Sequence, residues 1–424
     1  MGKRIYLCLA HMSGKEMDFI REAFDTNWVV PLGPNVNGFE KDLEEFVGED
    51  KRVVALSSGT AAVHLALIAC GVGLGDEVMV QSFTFCASSH PVTYVGAKPV
   101  FVDSEADSWN MDPELLDKAI ADRIAVTGKK PKAIIPVALY GMPYKIDRIM
   151  EVAAKYDIPV IEDAAEGFGS RYDGRVLGTF GKYGVLSFNG NKMITTSGGG
   201  ALVTEDEDHW REIMMYATQY RESYPYYQHE KIGFNYRMSN ICAGIGRGQM
   251  TVVDEHIAHH KHVQKMYEDL LKDVPGIEVH GNPDVRSDSN FWLCAITMDP
   301  SVKIAGQENA YKTVVTGAVG GAAGVIHMAS SAVTDCQPND NVEALRVVLD
   351  AAQVEARPLW KPMHKQPVYK DAPRYLKACN LFGKDEESVS EALFKVGMCL
   401  PAGPYVTDDD VKYIIETIKN AIVR

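Results

Sequence analysis

Lys192 lies in a stretch of the sequence where a lysine can act as a nucleophile. It follows the turn tripeptide at residues 189–191 and lies between two short apolar runs, 185–188 and 201–204. Asn and Gly readily adopt left-handed backbone angles, so the pattern predicts two buried strands whose connection carries Lys192. Burial favours the neutral form of an amine, and a neutral amine can attack a carbonyl to form a Schiff base. We therefore interpret Lys192 as reactive rather than as a surface lysine on a hairpin.

Three further groups of residues follow apolar runs in the amino-terminal half of the sequence. Gly59 and Thr60 open a helical pattern, where free backbone N–H groups and the helix dipole suit a phosphate. Phe85 follows the next run and could stack on a planar cofactor. Asp163 follows another run, and a carboxylate at the end of a buried strand needs a partner such as a protonated pyridine nitrogen. Each position also fits a simpler role as a helix cap or a core aromatic.

One cofactor requires all of these groups. Pyridoxal phosphate needs a lysine for its aldehyde, an acid for its ring nitrogen, donors for its phosphate and an aromatic ring that stacks on its own. The sequence therefore predicts a pyridoxal-phosphate site built from Lys192, Asp163, Phe85, Gly59 and Thr60.

Strands and helices that alternate along the chain must position these residues. This order predicts an α/β fold with a largely parallel sheet and a ligand at the carboxyl ends of its strands. No Gly-x-Gly-x-x-Gly follows any of the runs, which disfavours a dinucleotide enzyme. The predicted strands are 53–56, 77–81, 99–102, 133–137 and 159–162, and the predicted helices between them are 61–69, 113–125 and 146–156.

The segments outside this alternating region are less regular. We predict a first helix at residues 13–24, with Ser13 as its N-cap and Glu16 completing a capping box. Residues 27–34 contain Trp28 and two prolines, and they fit either a loop that covers a pocket or a plain connector. Apolar spacing predicts one long helix over residues 239–271.

Composition and charge exclude several classes of protein. The chain has 424 residues, enough for two domains. Its net charge of −14 disfavours nucleic acid as a partner. Its 8 cysteines are scattered without metal-ligand spacing, which indicates free thiols in a reducing cytosol and no metal site. No stretch resembles a signal peptide or a membrane span. We expect a cytoplasmic protein that binds neither nucleic acid nor membrane.

Several ordered motifs resemble the nucleotide-sugar aminotransferases of the DegT/StrS type, which are fold-type I pyridoxal-phosphate enzymes. The resemblance covers residues from about 9 to 298 and from about 341 to the end of the sequence. It implies a large cofactor-binding domain at 1–255 and a small C-terminal α/β domain at 256–424, with an atypical insertion at about 301–337. The matching segments are 57–62, 75–78, 82–85, 96–103, 162–165 and 190–192.

The resemblance implies a role for each residue around the cofactor ring. Lys192 would bind the cofactor covalently and carry a proton to and from the substrate carbon. Asp163 would pair with the pyridine nitrogen, while Phe85 and Ala165 would pack on opposite faces of the ring. Glu166 would lie near the 3-hydroxyl group, a position where Gln or His is also common in the family.

It also implies how the phosphate and the substrates are bound. Ser187 would hold the phosphate together with the two residues of the 59–60 turn. Asn235 would contact the phosphate of a neighbouring subunit, so that a homodimer shares its active sites. Arg237 would receive the α-carboxylate of the donor, L-glutamate, although a solvated charge is the simpler interpretation. Trp28 and His364 belong to segments that would cover the keto sugar.

Residues 27–34, 187–192 and 357–364 most resemble family members that aminate C4 of a UDP-linked 4-keto-6-deoxy-N-acetylglucosamine in the bacillosamine pathway. The alternative is a perosamine synthase that acts on GDP-linked 4-keto-6-deoxymannose. A pyridoxal-phosphate sugar dehydratase is disfavoured, because the relatives that remove a hydroxyl at C3 carry histidine at the position of Lys192. A non-catalytic cofactor-binding protein is disfavoured because the catalytic positions are all kept.

Overall fold

The computed structural model describes residues 3–48, 50–311, 318–319, 326–327, 336–383 and 387–423. Within these ranges the α-helices are α1 (Glu16–Asp25), α2 (Pro34–Val47), α3 (Gly59–Ala69), α4 (His90–Tyr94), α5 (Pro113–Thr127), α6 (Ile146–Tyr156), α7 (Glu207–Ala217), α8 (Asn240–Met250), α9 (Val253–Leu271), α10 (Asp340–Ala351), α11 (Val389–Val396) and α12 (Asp408–Ala421). The strands are β1 (Arg52–Leu56), β2 (Glu77–Gln81), β3 (Lys98–Val102), β4 (Ala133–Ile135), β5 (Ile161–Asp163), β6 (Arg171–Tyr172), β7 (Arg175–Val176), β8 (Tyr183–Ser187), β9 (Gly200–Thr204), β10 (Ile277–Val279), β11 (Ser287–Asp288), β12 (Cys294–Met298), β13 (Ala318–Val319), β14 (Ile326–His327), β15 (Arg357–Pro358), β16 (Arg374–Tyr375), β17 (Ala378–Cys379), β18 (Glu387–Ser388) and β19 (Gly397–Leu400).

A central sheet has the strand order β1-β9-β8-β5-β4-β2-β3-β16. Strands β5 and β8 pair in parallel, as do β2 with β3 and β2 with β4. Parallel bridges from Ile134 to Val160 and from Val137 to Asp163 join the two halves of the sheet. Strand β9 runs antiparallel to both β1 and β8. The predicted α/β fold with a mostly parallel sheet is confirmed.

The first helix begins three residues later than predicted. The carboxylate of Glu16 accepts hydrogen bonds from the backbone N–H groups of Ser13 (2.8 Å) and Gly14 (3.0 Å), which holds a turn ahead of the helix. The Ser13 hydroxyl accepts from the N–H of Lys15 (3.0 Å), so Ser13 is not the N-cap.

The single helix predicted over 239–271 is two helices, α8 and α9. Thr251 and Val252 separate them, and their N–H groups bond to the carbonyls of Gly248 (3.3 Å) and Gln249 (3.1 Å). These bonds reach back three residues instead of four and so close the last turn of α8 tightly.

Two apolar cores flank this region. Val253 and Ile257 of α9 pack in the core of the central sheet, whereas Val263 and Tyr267 of the same helix pack in a second core with α10 and α12. Ile5 also packs in this second core. The start of the chain therefore packs with the C-terminal unit, a contact that the predicted range 1–255 did not anticipate.

Most of the insertion predicted at 301–337, including nearly all of its core at 313–331, lies outside the described residues. Within the described part of the insertion, β13 and β14 pair antiparallel with each other. Across the described ranges, the helices are all too short or too polar to span a membrane.

Candidate active site

A cavity of about 420 Å³ opens at the carboxyl edge of the central sheet, a volume typical of small-molecule sites. Strands β1, β5 and β8 end at this edge and the antiparallel β9 begins there, so the connection between β8 and β9 crosses it. The predicted site residues that line the cavity are Gly59, Thr60, Phe85, Asp163, Ala165, Glu166, Ser187 and Lys192.

Lys192 extends from the β8–β9 connection into the cavity, and its side chain is 13% exposed. Its Nζ lies 3.4 Å from Oε1 of Glu166 and 4.0 Å from the centroid of the Trp292 ring. The Trp292 Nε1–H donates to the carbonyl of Asn191 at 2.6 Å. The amine is thus placed between a carboxylate and an aromatic face, at the position where the sequence predicts a nucleophile.

Asp163 ends β5 with its carboxylate in the cavity wall. Its Oδ2 accepts from the hydroxyl of Ser88 (2.6 Å) and its Oδ1 accepts from the N–H of Ala165 (3.2 Å). Burial raises the pKa of this carboxyl, against the effect of both hydrogen bonds and of the Lys192 charge. A buried carboxylate of this kind is stabilised by a cationic partner, and a protonated pyridine nitrogen would supply one.

Glu166 connects two parts of the cavity wall. Its Oε2 accepts from the N–H of Tyr140 at 2.7 Å, and the Tyr140 hydroxyl accepts from the N–H of Trp360, also at 2.7 Å. Burial raises the pKa of the Glu166 carboxyl, and the charge of Lys192 and the Tyr140 hydrogen bond oppose that change. Phe85 and Trp360 face each other with their ring centroids 5.6 Å apart.

The turn between β1 and α3 forms an anion cradle. Ser58 caps α3 by accepting from the N–H of Ala61 (3.0 Å), and the first-turn N–H groups of Gly59 and Thr60 lie beyond the reach of intrahelical acceptors. A Cβ at Gly200 would lie 2.3 Å from the backbone N of Gly59. The glycine thus lets β9 approach the helix start, and the Ser187 hydroxyl borders the same space.

These residues fit pyridoxal phosphate. The cavity combines an amine, a buried acid that needs a cation, an exposed aromatic ring and a phosphate cradle in which a side chain at Gly200 would clash. When bound, the cofactor serves as an electron sink for the carbon attached to the transferred amino group. Lys192 would hold its carbonyl carbon, Asp163 its ring nitrogen, and Gly59, Thr60 and Ser187 its phosphate.

Arg237 does not reach the cavity of its own chain. Its buried guanidinium pairs with the carboxylate of Glu40 and also donates to the carbonyl of Ala55 at 3.1 Å. Glu40 and Ala55, a residue of β1, thus hold the guanidinium within this chain, and the contact of Arg237 with the donor carboxylate stays a prediction.

His364 also lies outside the cavity. Its Nδ1 is 2.6 Å from the Ser82 hydroxyl and its Nε2 is 2.9 Å from Oε1 of Glu391, and only 1% of its side chain is exposed. The ring therefore links α11 to the segment after β2, and a contact of His364 with the substrate stays a prediction.

The ion pairs of Glu391 predict a pH-dependent contribution to stability. Burial raises the pKa of Glu391, but hydrogen bonds from His364 and Lys365 outweigh it and lower the value from 4.5 to about 2. The carboxylate therefore stabilises the fold above about pH 4.5, and this contribution is lost as the pH falls through about 2. We expect Glu391→Gln to lower the free energy of unfolding by about 1–3 kcal/mol at pH 7. Urea unfolding of the variant and the wild type at pH 4 and pH 7 measures this difference in the free energy of unfolding.

The matched control for this prediction is Glu45→Gln, an exposed member of a surface pair with Lys41 (3.7 Å). It should change stability by less than about 0.5 kcal/mol. A Glu391→Gln protein as stable as the control variant at pH 7 would contradict the prediction.

Trp28 and Asn235 are exposed and lie outside the cavity of their own chain. Asn240 fixes the segment around Trp28, because its Nδ2 donates to the Trp28 carbonyl (2.9 Å) and its backbone N–H donates to the Val30 carbonyl (2.9 Å). The roles of Trp28 at the keto sugar and of Asn235 at a neighbouring subunit's phosphate stay predictions.

Sequence reasoning missed Ser88, Tyr140 and Trp292. Ser88 comes three residues after Phe85, in a stretch that the strand pattern does not describe. Tyr140 has a φ of 55°, which no residue pattern indicates. Trp292 lies two residues before β12, and its position beside Lys192 follows only from tertiary packing.

Fold and site together define a fold-type I pyridoxal-phosphate enzyme. The model of the DegT/DnrJ/EryC1/StrS aminotransferase family matches residues 11–314 and 307–419. The chain belongs to this family and is a pyridoxal-phosphate-dependent nucleotide-sugar aminotransferase.

The similarity to individual relatives extends over nearly the whole chain. EpsN of Bacillus subtilis is 42% identical over 419 residues, which cover 99% of this chain and 96% of EpsN. The GDP-perosamine synthase of Caulobacter vibrioides is 32% identical over 420 residues, with 99% of each chain covered. The crystal structure of a family aminotransferase from Brucella abortus superposes with a TM-score of 0.78 at 27% identity, over 96% of this chain and 95% of that one.

Proposed function

We propose that the enzyme transfers the amino group of L-glutamate to C4 of a UDP-linked 4-keto-6-deoxy sugar, UDP-2-acetamido-2,6-dideoxy-4-hexulose, for the synthesis of a bacterial glycan precursor. The observation that carries the aminotransferase chemistry is that the Lys192 amine and the Asp163 carboxylate line the same cavity. The choice of UDP and of this sugar rests on the sequence motifs at 27–34, 187–192 and 357–364.

The reaction has two halves, and Lys192 serves in both of them. Lys192 moves a proton between the cofactor and the substrate carbon, first with glutamate and then with the keto sugar. Glutamate loses its amino group and a hydrogen, and its C2 takes an oxygen from water to become 2-oxoglutarate. The ketone carbon of the sugar gains the amino group and a hydrogen, and its oxygen leaves as water. Since both substrates use the same amine in turn, ping-pong kinetics follow.

A GDP-linked sugar is the second candidate. The GDP-perosamine synthase of Caulobacter vibrioides aligns with 99% of this chain, so its substrate class, GDP-4-keto-6-deoxymannose, competes with the UDP-linked sugar. A panel of UDP- and GDP-linked 4-keto-6-deoxy sugars, each supplied with L-glutamate, tests the choice. Mass spectrometry of the sugar nucleotide distinguishes ketone from amine. Turnover of the GDP sugar alone would replace the UDP proposal, and turnover of neither would overturn both.

Incubation with L-aspartate or L-alanine in place of L-glutamate tests the donor separately. Formation of 2-oxoglutarate from glutamate, without a sugar acceptor, should stop after one equivalent per active site, as the two-half reaction requires. Continuous 2-oxoglutarate release would contradict a ping-pong sequence.

We also propose that the functional unit is a homodimer in which Asn235 contacts the cofactor phosphate of the neighbouring subunit. Asn235 is exposed and outside its own cavity, and Trp28 and Leu32 of the nearby segment are exposed apolar side chains, at 40% and 52%. A two-fold interface would cover this segment and bring Asn235 to the partner's site. In the same arrangement the 27–34 segment and the 360–364 run cover the keto sugar.

Mixing two inactive variants tests the shared site. In a dimer of one Lys192→Ala chain and one Asn235→Asp chain, one site combines an intact lysine with an intact asparagine. An equimolar mixture that has exchanged subunits should regain about a quarter of wild-type activity, since half of the dimers are mixed and each has one intact site. Activity assays before and after exchange, with exchange followed by differently tagged chains, measure the recovery.

The control is a mixture of wild type with a chain that carries both changes. If sites are shared, its activity should fall from about half of the wild-type value before exchange to about a quarter after it, because a mixed dimer has no intact site. If each chain builds its site alone, it should stay at about half. Complete exchange without recovery in the test mixture would show that each chain builds its site alone.

A further inference from the structure

Trp292 is held rigidly beside the reactive lysine. Its side chain is almost completely buried, its backbone N–H donates to Oδ1 of Asn290 (2.8 Å) and its indole N–H donates to the carbonyl of Asn191 (2.6 Å). Asn290 in turn donates to the carbonyls of Glu166 and Phe168, each at 2.9 Å. Hydrogen bonds thus fix both the backbone and the indole ring of Trp292.

The ring face lies against the reacting atom. The Nζ of Lys192 is 4.0 Å from the Trp292 ring centroid and 3.4 Å from Oε1 of Glu166. An indole face attracts an ammonium group through its quadrupole, and more strongly where water is excluded. The same face offers no comparable attraction to a neutral amine, so the contact favours the protonated form of Lys192 over the neutral form.

We propose that Trp292 is a catalytic residue that holds the free, protonated amine of Lys192 in the cavity wall whenever that amine is not bonded to the cofactor. This keeps the proton that Lys192 delivers within reach of the substrate carbon. The inference rests on the proposed role of Lys192. It adds a position for the unbonded amine, with Glu166 on one side and the indole on the other.

Two other contacts hold the same connection independently of Trp292. His256 Nδ1 lies 3.2 Å from the carbonyl of Met193, and the N–H of Thr195 donates to Oε1 of Gln249 at 3.3 Å. Variants of Trp292 therefore keep two anchors of the lysine segment, and a change at the amine can be separated from a loss of the loop.

The test measures how fast Lys192 is modified in the cofactor-free protein. Trinitrobenzenesulfonate reacts with neutral amines, and mass spectrometry of the Lys192 peptide gives the modification rate as a function of pH. Trp292→Met fills much of the space but has no ring face, and Trp292→Phe keeps a ring face but has no N–H. Lys182 in the same digest is the internal control, and Trp360→Leu alters the same cavity away from the amine.

Without the ring face, the neutral amine should form at lower pH. In Trp292→Met we expect the pH of half-maximal modification to fall by about one unit, which is about a tenfold higher rate on the rising part of the profile. Trp292→Phe and Trp360→Leu should keep the wild-type midpoint. Better access alone would raise the plateau without moving the midpoint. The other ionisable groups that face the amine, Glu166, Asp163 and Cys8, are the same in every variant.

An unchanged midpoint in Trp292→Met would overturn the proposal, as would a Trp292→Phe midpoint equal to that of Trp292→Met, because the indole N–H and not the ring face would then matter. If Trp292→Met does not fold, Trp292→Leu replaces it with the same expectation. Protection of Lys192 by added pyridoxal phosphate, measured in the wild type, reports separately on the role of Lys192 itself.

Discussion

Lys192→Ala should lower turnover by at least about 10⁴-fold, because general acid–base catalysis alone contributes about 10²–10⁴-fold and the variant loses the nucleophile as well. The yellow absorbance of lysine-bound pyridoxal phosphate should also disappear. In the part of the chain that the structure describes, the cavity wall contains no second lysine that could take over the bond. Product assays and absorbance spectra with added cofactor measure both effects.

Lys182→Ala is the matched control. Lys182 lies ten residues earlier in the sequence, with its Nζ over the Tyr183 ring (5.6 Å) and outside the cavity. It should retain both the absorbance and the turnover of the wild type. Cofactor trapped covalently by borohydride in the Lys192→Ala protein would refute the assignment of the lysine.

Asp163→Asn should keep the fold and bind cofactor, yet lose about 10²–10³-fold in turnover, as enzymes do when a preorganised electrostatic partner is removed. The amide has the shape of the carboxylate: its oxygen can accept from the N–H of Ala165, and its NH2 group can donate to the Ser88 hydroxyl. It cannot hold a positive charge on the ring nitrogen, so the electron sink is weakened. Steady-state rates and cofactor occupancy of the purified variant give the two quantities.

Ser88→Ala is the companion variant, because it removes the neutral donor to Asp163 and leaves the charge. Its loss should be smaller, about tenfold, in keeping with a single hydrogen bond to a charged group. Wild-type turnover in Asp163→Asn, or a larger loss in Ser88→Ala, would remove Asp163 from its proposed role.

Site residues that directly follow an apolar run were predictable from the sequence. Gly59, Asp163 and Lys192 each follow an apolar run, and parallel strands bring the ends of such runs to one edge of a sheet. Their meeting in one cavity is therefore a consequence of local pattern plus a simple rule of topology. The motif resemblance added the roles of Phe85, Ala165, Glu166 and Ser187, which line the same cavity.

Residues whose partners are distant in sequence were not predictable. Arg237 looked available to a substrate carboxylate, but Glu40, 197 positions earlier, occupies its guanidinium. His364 looked like a residue of the substrate entrance, but Ser82 and Glu391 bind both of its ring nitrogens. A side chain's free hydrogen-bonding capacity depends on what the folded chain places beside it, and no local pattern contains that information.

By itself the sequence determined the alternation of strands and helices and the positions of Lys192, Asp163 and the turn at Gly59 at the ends of apolar runs, because each depends on periodicity or on neighbours within a few residues. Only the tertiary structure decided that the indole of Trp292 lies against the Lys192 amine, 100 residues earlier in the chain, and that Ser88 orients Asp163. Such contacts are set by the packing of whole elements, because their partners lie on different elements far apart in the sequence.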